Sequence, residues 1–254
     1  MEVHHHAHTE GKRLKHYLFE FFMLFLAVFC GFLAENLREH QVELKRAKEY
    51  ASSMINDLSA DTTELKEYIK YMNYAASNVD TLLDLLSTND PKNAPTGKLY
   101  YYGLFGGTPE TFIPNDATIQ QMKGSGSLRY FTNKLINEKV AQYDQLSRRM
   151  LTNDEHDLTI YTEVRKVRAQ IFLFRYNNAA NDVFQAYRKN NDWAPVDSFM
   201  ATNPPVLKYD KTIFNQYAEL VRSRFLRRKI NAATALFEHA TILLKDLKRE
   251  YHLN

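Results

Sequence analysis

The hydrophobic and polar positions divide the chain into one continuous apolar run and several amphipathic stretches. Residues 17–34, YLFEFFMLFLAVFCGFLA, are apolar almost throughout. From Ala47 onward, apolar residues recur instead at spacings of three and four, which places them on one face of a helix. This stripe contains Ala47, Ala51, Met54, Leu58, Leu65, Tyr68, Met72, Ala75, Val79, Leu82 and Leu86.

Helix-breaking residues are absent between the apolar run and the end of the stripe. Residues 35–90 contain neither glycine nor proline, the two strongest helix breakers. The pattern therefore predicts one helix that leaves the apolar run and continues to about residue 86. Asp61 interrupts the stripe once, and together with Glu64 it resembles a capping box, so a break near residues 59–61 is the alternative.

Glycine and proline are concentrated in two later regions. Six of the eight glycines and four of the seven prolines lie between Pro91 and Gly126, and the remaining three prolines lie at 195, 204 and 205. We expect long connections at about 90–127 and 190–205. Within the first we expect a short strand over residues 100–102 and a short helix over 117–123, capped by Asp116 and ended by Gly124.

Two further long helices follow from the breaker-free segments. The first is expected from residue 128 to about 190, and the second, capped by Asp210, from 211 to 251. The stripe of the first holds Ile136, Val140, Tyr143, Met150, Leu158, Tyr161, Val164 and Ile171. The segment AQIFLFRY, residues 169–176, is apolar on several faces and is expected to be enclosed. The predicted fold is all-α, an N-terminal transmembrane helix continuing into an extramembrane bundle of long antiparallel helices.

The apolar run has the length of a membrane anchor. Its uncharged part, residues 21–34, is short for a span, but residues 17–37 are long enough, and Glu20 can snorkel to the interface. A cleaved signal peptide is the alternative; Phe32 occupies the position where a small residue would precede a cut after Ala34. We predict a basic tail over residues 1–16, an uncleaved anchor over 17–37 and a bundle domain over 38–254.

The basic residues on the two sides of the span do not decide its orientation. Lys12, Arg13 and Lys15 precede it, and Arg38, Lys45, Arg46 and Lys48 follow it. The tail is short and carries its charges next to the span, so keeping the tail in the cytoplasm is the easier insertion. We expect a single-pass protein of a bacterial inner membrane, with a cytoplasmic N-terminus and a periplasmic bundle.

Charge and cysteine usage narrow the possible functions. The 33 Lys and Arg nearly balance the 30 Asp and Glu, which gives no reason to expect nucleic acid as a partner. A single cysteine, Cys30, excludes an intramolecular disulfide framework.

The densest basic cluster is expected to be a solvated face that pairs with acids on other helices, rather than a patch for an anionic partner. It comprises Arg222, Arg224, Arg227, Arg228 and Lys229.

The predicted bundle helices carry no pattern typical of a catalytic centre. Di-metal bundles use Glu-x-x-His pairs on facing helices, and the one such pair, Glu2 with His5, lies in the tail. Nucleophile signatures are missing, and the glycines of GLFGG, residues 103–107, lack nucleotide-binding spacing. We therefore predict that the chain is not an enzyme.

The histidine-rich tail is the one candidate metal site. His4, His6 and His8 point the same way in an extended segment, and His4 and His8 share a face in a helix. With His5 they could bind a divalent transition metal such as Zn, Ni or Cu. The alternative is a polar leader that binds no metal.

The apolar run carries a face suited to helix association. Glu20, Ala27, Gly31 and Ala34 recur at helical spacing, and the small pair Ala27 and Gly31 would let a second helix approach closely. A carboxylate on the same face can be shielded there, and His16 could pair with it. We expect contacts with the lipid bilayer, and with a second copy or other membrane subunits.

Four stretches resemble one known family. MEVHHHAH, LFEFFMLFLAVFCGFLAENLREH, FIPNDATIQQMKGSGSLRY and KREYHLN together resemble bacterial single-span membrane proteins with a histidine-rich N-terminus. The resemblance implies a membrane protein and a tail that is a family trait. No established activity comes with that family, so it implies no catalytic residue.

These observations favour a non-enzymatic role. The leading hypothesis is an oligomeric, membrane-anchored scaffold, or an accessory subunit of a larger envelope complex. The alternative is a metal-binding or sensory membrane protein that uses the histidine tail. The first predicts partners or a defined oligomer, whereas the second predicts bound metal.

Overall fold

The structure, a computed structural model, describes residues 10–88, 90, 92–93 and 95–253. The described part is helical and contains no strand. The helices are α1 (Glu10–Thr88), α2 (Thr96–Gly106), α3 (Ala117–Ser125), a 3₁₀ turn (Ser127–Tyr130), α4 (Lys134–Ile171), α5 (Phe174–Asn190), α6 (Ala194–Met200), α7 (Lys211–Arg222) and α8 (Leu226–Glu250). The all-α prediction, with a long first helix continuing into a bundle, is confirmed.

α1 is one unbroken helix of 79 residues, on the order of 120 Å long at the usual rise per residue. The predicted stripe is buried from Ala47 to Leu82, and Leu86 packs against its end. The alternative break near residues 59–61 is wrong. Asp61 is fully buried, and its Oδ1 accepts hydrogen bonds from the Asn115 backbone N–H at 2.9 Å and the Asn115 amide at 2.7 Å. Its other oxygen accepts from the Tyr143 hydroxyl.

α8 packs on both α1 and α4. Near one end, Arg227 of α8 pairs with Asp80 of α1 at 2.5 Å. Toward the other end, Lys139 of α4 pairs with Asp246 of α8. Lys229, at the start of α8, pairs with Asp157 in the second half of α4, so α8 is antiparallel to α4. Asp61, which precedes Asp80 in α1, accepts a hydrogen bond from Tyr143 in the first half of α4, so α1 and α4 run in the same direction.

The strand expected at residues 100–102 is wrong, because these tyrosines lie in α2. Tyr100 and Tyr101 are buried on the helix. The Tyr101 hydroxyl bonds that of Tyr74 in α1 at 2.8 Å, while the Tyr100 hydroxyl donates to the Pro205 carbonyl at 2.8 Å. A helix directs these neighbouring side chains to two different elements, and the burial they gain outweighs the local preference of aromatic residues for strands.

The helix expected over 128–190 is broken at Phe172 and Leu173, although no glycine or proline lies there. Phe172 is extended and buried, whereas Phe174 is 77% exposed, so the expected enclosure of residues 169–176 holds for only part of the segment. The Leu173 N–H donates to the Tyr100 hydroxyl at 2.9 Å, and the Ile171 carbonyl accepts from the Leu207 N–H at 2.8 Å. Groups distant in the chain thus form the hydrogen bonds that the backbone at the break no longer forms within a helix.

The helix expected over 211–251 is likewise broken, between α7 and α8. Phe225 has a left-handed conformation with φ of 51°, and the preceding Arg224 is buried. The Asp210 cap is confirmed: its Oδ1 accepts from the backbone N–H groups of Thr212 and Ile213 at 3.0 and 3.3 Å. The expected loop over 190–205 contains a short helix, α6.

The short helix predicted over 117–123 exists and extends to Ser125, where Gly126 rather than Gly124 adopts the left-handed conformation. Asp116 precedes it without accepting a capping hydrogen bond from the backbone. The carboxylate bonds the Gln120 amide at 2.9 Å instead.

A substitution at Gly97 should destabilise the fold strongly. A Cβ there would lie 2.5 Å from the Phe199 carbonyl oxygen and 2.6 Å from that of Thr202, and backbone atoms cannot give way as a flexible side chain can. We expect Gly97→Ala to lower the free energy of unfolding by about 2–3 kcal/mol, the usual cost of overpacking.

Gly124→Ala is the matched control, because a Cβ at this position in α3 meets nothing within 4 Å. It should leave stability unchanged or raise it by up to about 1 kcal/mol. Urea denaturation followed by circular dichroism measures both variants. Equal stabilities would contradict the close approach of α2 to the 199–202 segment.

Candidate functional site

The apolar segment of α1 lies outside the bundle. Its large side chains, from Leu14 to Leu37, are between 39% and 72% exposed. None of its most apolar window is buried, and by length and composition α1 is long enough to cross a membrane. Phe21, Phe25 and Phe29 stack along one side, with ring centroids 6.5 and 5.9 Å apart. Burial begins at Ala47, where the same helix enters the core.

The predicted packing face on this segment has no partner within the described chain. Glu20, Ala27, Gly31 and Ala34 are all exposed, and a Cβ at Gly31 would meet nothing within 4 Å. His16 does lie beside Glu20, with Nε2 3.1 Å from Oε1, as the sequence suggested. What the face contacts stays a prediction.

The histidines proposed as metal ligands, His4, His5, His6 and His8, lie outside the described residues. Over residues 14–253, apart from the gaps noted above, no three His, Cys, Asp or Glu side chains are grouped as they would be to hold a metal ion. The metal hypothesis therefore stays a prediction from the sequence.

Two acids and two bases form a buried ion cluster where α4 meets the α7–α8 junction. Arg224 binds Asp157 through both Nε and Nη2 at 2.8 Å, and Lys229 Nζ lies 3.1 Å from the same carboxylate. Lys229 also lies 2.8 Å from Asp154 Oδ1, as an ion pair without the angle of a hydrogen bond. All four side chains are at most 6% exposed. A buried charge needs this kind of pairing.

The cluster also holds the end of α2 and the loop that follows it. Arg224 donates to the carbonyls of Phe105, Gly106 and Thr108 at 3.2, 2.9 and 3.1 Å, and Lys229 donates to the Glu110 carbonyl at 2.9 Å. The expectation that the basic cluster pairs with acids on other helices is met by Arg224, Lys229 and Arg227. The expectation of a solvated face is wrong for Arg224 and Lys229, whose side chains are buried.

The two aspartates of the cluster differ in how far neighbouring cations offset the cost of burying their charge. Burial would raise the pKa of Asp157, but the hydrogen bonds and charges of Arg224 and Lys229 outweigh it and hold that pKa below the usual value. Burial raises the pKa of Asp154, and Lys229 with the Phe112 N–H offsets only part of this effect. Asp157 is therefore the better-stabilised carboxylate.

An aromatic cleft opens beside the cluster, between α1, α5 and the loop after α2. We call it the tyrosine cleft; its volume is about 590 Å³. Its lining includes Tyr68, Tyr71 and Tyr74 from α1, Phe184, Tyr187 and Arg188 from α5, and Glu110 from the loop. Tyr74 stacks on Phe184 and Tyr187, with both ring centroids at 6.2 Å. The cleft is thus walled by aromatic faces.

Two polar groups of this cleft lack a hydrogen bond. The buried Tyr68 hydroxyl has no partner among the described residues, and burial raises its pKa. Glu110 is half-buried, and no described side chain forms a hydrogen bond or close ion pair with its carboxylate. Burial raises the pKa of Glu110, opposed by the more distant charges of Arg188 and Lys229.

Sequence reasoning missed most of these residues. In α4 it placed Leu158 in the core, but Leu158 is 51% exposed, while Asp154 and Asp157 are buried beside it. Hydrophobic periodicity assigns carboxylates to the solvent side, so it cannot find them. The spacing of three between Tyr68, Tyr71 and Tyr74 was the one available signal for the cleft.

Comparison with known proteins assigns neither a family nor a function to the chain. No family model, curated protein or solved structure gives a significant match to the chain.

The unequal compensation of the two aspartates predicts unequal costs of neutralising them. Asp157→Asn removes the partner of a buried arginine and should lower the free energy of unfolding by about 3–5 kcal/mol. Asp154→Asn removes a less well-stabilised carboxylate and should cost about 1–2 kcal/mol.

Urea denaturation at pH 7 compares the two variants. Because the native pKa of Asp157 is lowered, its contribution should be present above the unfolded-state value near 3.9 and lost as pH falls through the native value. The difference between wild type and Asp157→Asn should therefore shrink in acid. An equal cost for both substitutions would refute the ranking.

Proposed function

We propose that the chain is a single-span membrane protein whose bundle serves as a non-enzymatic scaffold, or as an accessory subunit of a larger envelope complex. One observation carries the proposal: α1 passes without a break from an exposed apolar segment into the core of the bundle. Exposed apolar surface of this extent marks an interaction with membrane or protein, and the run of residues 17–37 matches the thickness of a bilayer.

The helix that joins the two parts supports a close and rigid attachment. Burial begins at Ala47, about 15 Å along the helix axis from residue 37. The intervening turns carry helix-supporting ion pairs, Arg38 with Glu35 at 2.5 Å and Lys45 with Glu49 at 3.9 Å. An anchor joined in this way holds the bundle at a set distance and orientation from the membrane, which suits a scaffold.

The interior charges support a structural role over catalysis. Asp154 and Asp157 form ion pairs with the two buried bases. The bases, Arg224 and Lys229, also donate hydrogen bonds to backbone carbonyls. Such groups order loops and fix the helix junction. The proposal places the N-terminus in the cytoplasm and the bundle in the periplasm of a bacterial inner membrane, following the charge and length of the tail.

Charges placed in the apolar segment should release the protein from membranes. Phe25→Asp with Val28→Asp puts two carboxylates near the middle of the span, where each opposes insertion by about 2.5–3.5 kcal/mol. We expect wild type to stay in the pellet after an alkaline carbonate wash and the double variant to appear in the supernatant.

The matched control is Leu158→Asp with Ile242→Asp, which changes two side chains, each 51% exposed, on the bundle surface. This variant should stay in the pellet like wild type. If wild type itself is recovered in the soluble fraction, the anchor is refuted.

The small-residue face should mediate association within the membrane. Gly31→Ile places a bulky side chain where close approach of a second helix needs none, so we expect a smaller oligomer or loss of a partner subunit. Native mass spectrometry from mild detergent measures the number of copies and the bound subunits. Cys30→Ile, at the same depth but rotated about 100° around the helix, is the control. Unchanged assembly in Gly31→Ile would reject this face.

A further inference from the structure

The tyrosine cleft already holds one cation of the chain. The guanidinium carbon of Arg188 lies 5.5 Å from the ring centroid of Tyr71 and 5.9 Å from that of Phe184. These distances are those of cation–π contacts. The Arg188 side chain comes from the last turn of α5 and is exposed to solvent. The side chain thus lies over the cleft but is not buried in the core.

The lining is suited to positive charge in two ways. Aromatic faces carry a negative quadrupole and attract cations. The half-buried carboxylate of Glu110 has no close partner among the described residues, and a partly desolvated carboxylate gains most from a cation placed beside it.

We propose that the tyrosine cleft is a binding site for a small organic cation of the alkylammonium type. In this arrangement the cation lies against Tyr71, Tyr74 and Tyr187 and neutralises Glu110, while the Arg188 side chain swings into solvent. The volume of about 590 Å³ is in the range of small-molecule sites.

Other ligand classes fit the lining less well. An anion would face Glu110, Glu64 and Glu67 with the exposed Lys70 and Arg188 as its cations, and Lys70 already lies 3.9 Å from Glu67. A neutral apolar ligand would bury Glu110 further without a counter-charge, which is costly. The aromatic walls together with the unpartnered carboxylate therefore favour a cation.

The position of the cleft indicates a soluble ligand. Tyr68 lies about 45 Å along α1 from residue 37, so with the proposed anchor the cleft is far from the lipid headgroups of the same membrane. This source of the ligand depends on the proposed function. The binding test below does not, since it is done in detergent.

Choline is the probe, and 3,3-dimethylbutan-1-ol, its uncharged carbon isostere, is the matched control ligand. Trp193, the single tryptophan of the chain, reports binding because its ring lies 4.1 Å from that of Tyr187 and it is 40% exposed. With the full-length protein in a maltoside detergent, we expect a saturable fluorescence change at millimolar choline, and at least tenfold weaker binding of the isostere. No saturable binding of choline, or equal binding of both compounds, would overturn the proposal.

Two substitutions should change the affinity for choline in opposite directions. Glu110→Gln keeps the shape of the side chain but removes its charge, and should weaken choline binding at least fivefold. Arg188→Gln removes the resident cation and should tighten it at least threefold.

Lys189→Gln is the control for Arg188→Gln, since it removes the same charge from the adjacent exposed position and should leave affinity unchanged. Equal tightening in both would indicate a general surface-charge effect and would overturn the site. Arg188 is exposed, so its variant tests the proposal even if Glu110→Gln fails to fold, which circular dichroism shows.

Discussion

The packing of α1 into the bundle is the constraint on which the rest of this structure depends. The helix presents one buried stripe from Ala47 to Leu82, while its earlier turns expose apolar side chains in every direction. A stripe on one side is what a water-facing bundle requires, and apolar residues all round are what a bilayer requires. Because the two patterns share one unbroken helix, the bundle cannot turn independently of the segment that precedes it. The scaffold proposal follows from this mechanical continuity.

Buried polar contacts then determine how the shorter elements join that helix. Asp61 ties α1 to Asn115 and to Tyr143 of α4. Arg224 ties the junction of α7 and α8 to α4, to two carbonyls at the end of α2 and to one in the loop that follows it. In both cases one side chain satisfies several groups of an irregular segment, which allows loops to be buried. The loop after α2 is thereby held against α1, and this placement brings Glu110 to the tyrosine cleft.

The sequence predicted the first long helix correctly and missed the breaks in the two later ones. Periodicity identified the α1 stripe because a helix that buries one face must repeat at three and four residues. It missed the breaks at Phe172 and Phe225 because neither depends on glycine or proline. At the first, Tyr100 and Leu207 hold backbone groups that a continuous helix would have paired internally. At the second, the buried Arg224 draws the chain toward Asp157.

By itself, the sequence determined the all-α class, the position of the apolar segment and the buried face of the first helix. Each of these follows from local composition and period, which act along a single element. The tertiary structure decided which charged residues are buried, where the later helices break, and which aromatic side chains meet at the cleft. Tyr71, Arg188 and Glu110 lie far apart in the chain, and their meeting depends on how three elements pack. Their chemistry arises from burial and from neighbouring charge, which no pattern along one element can supply.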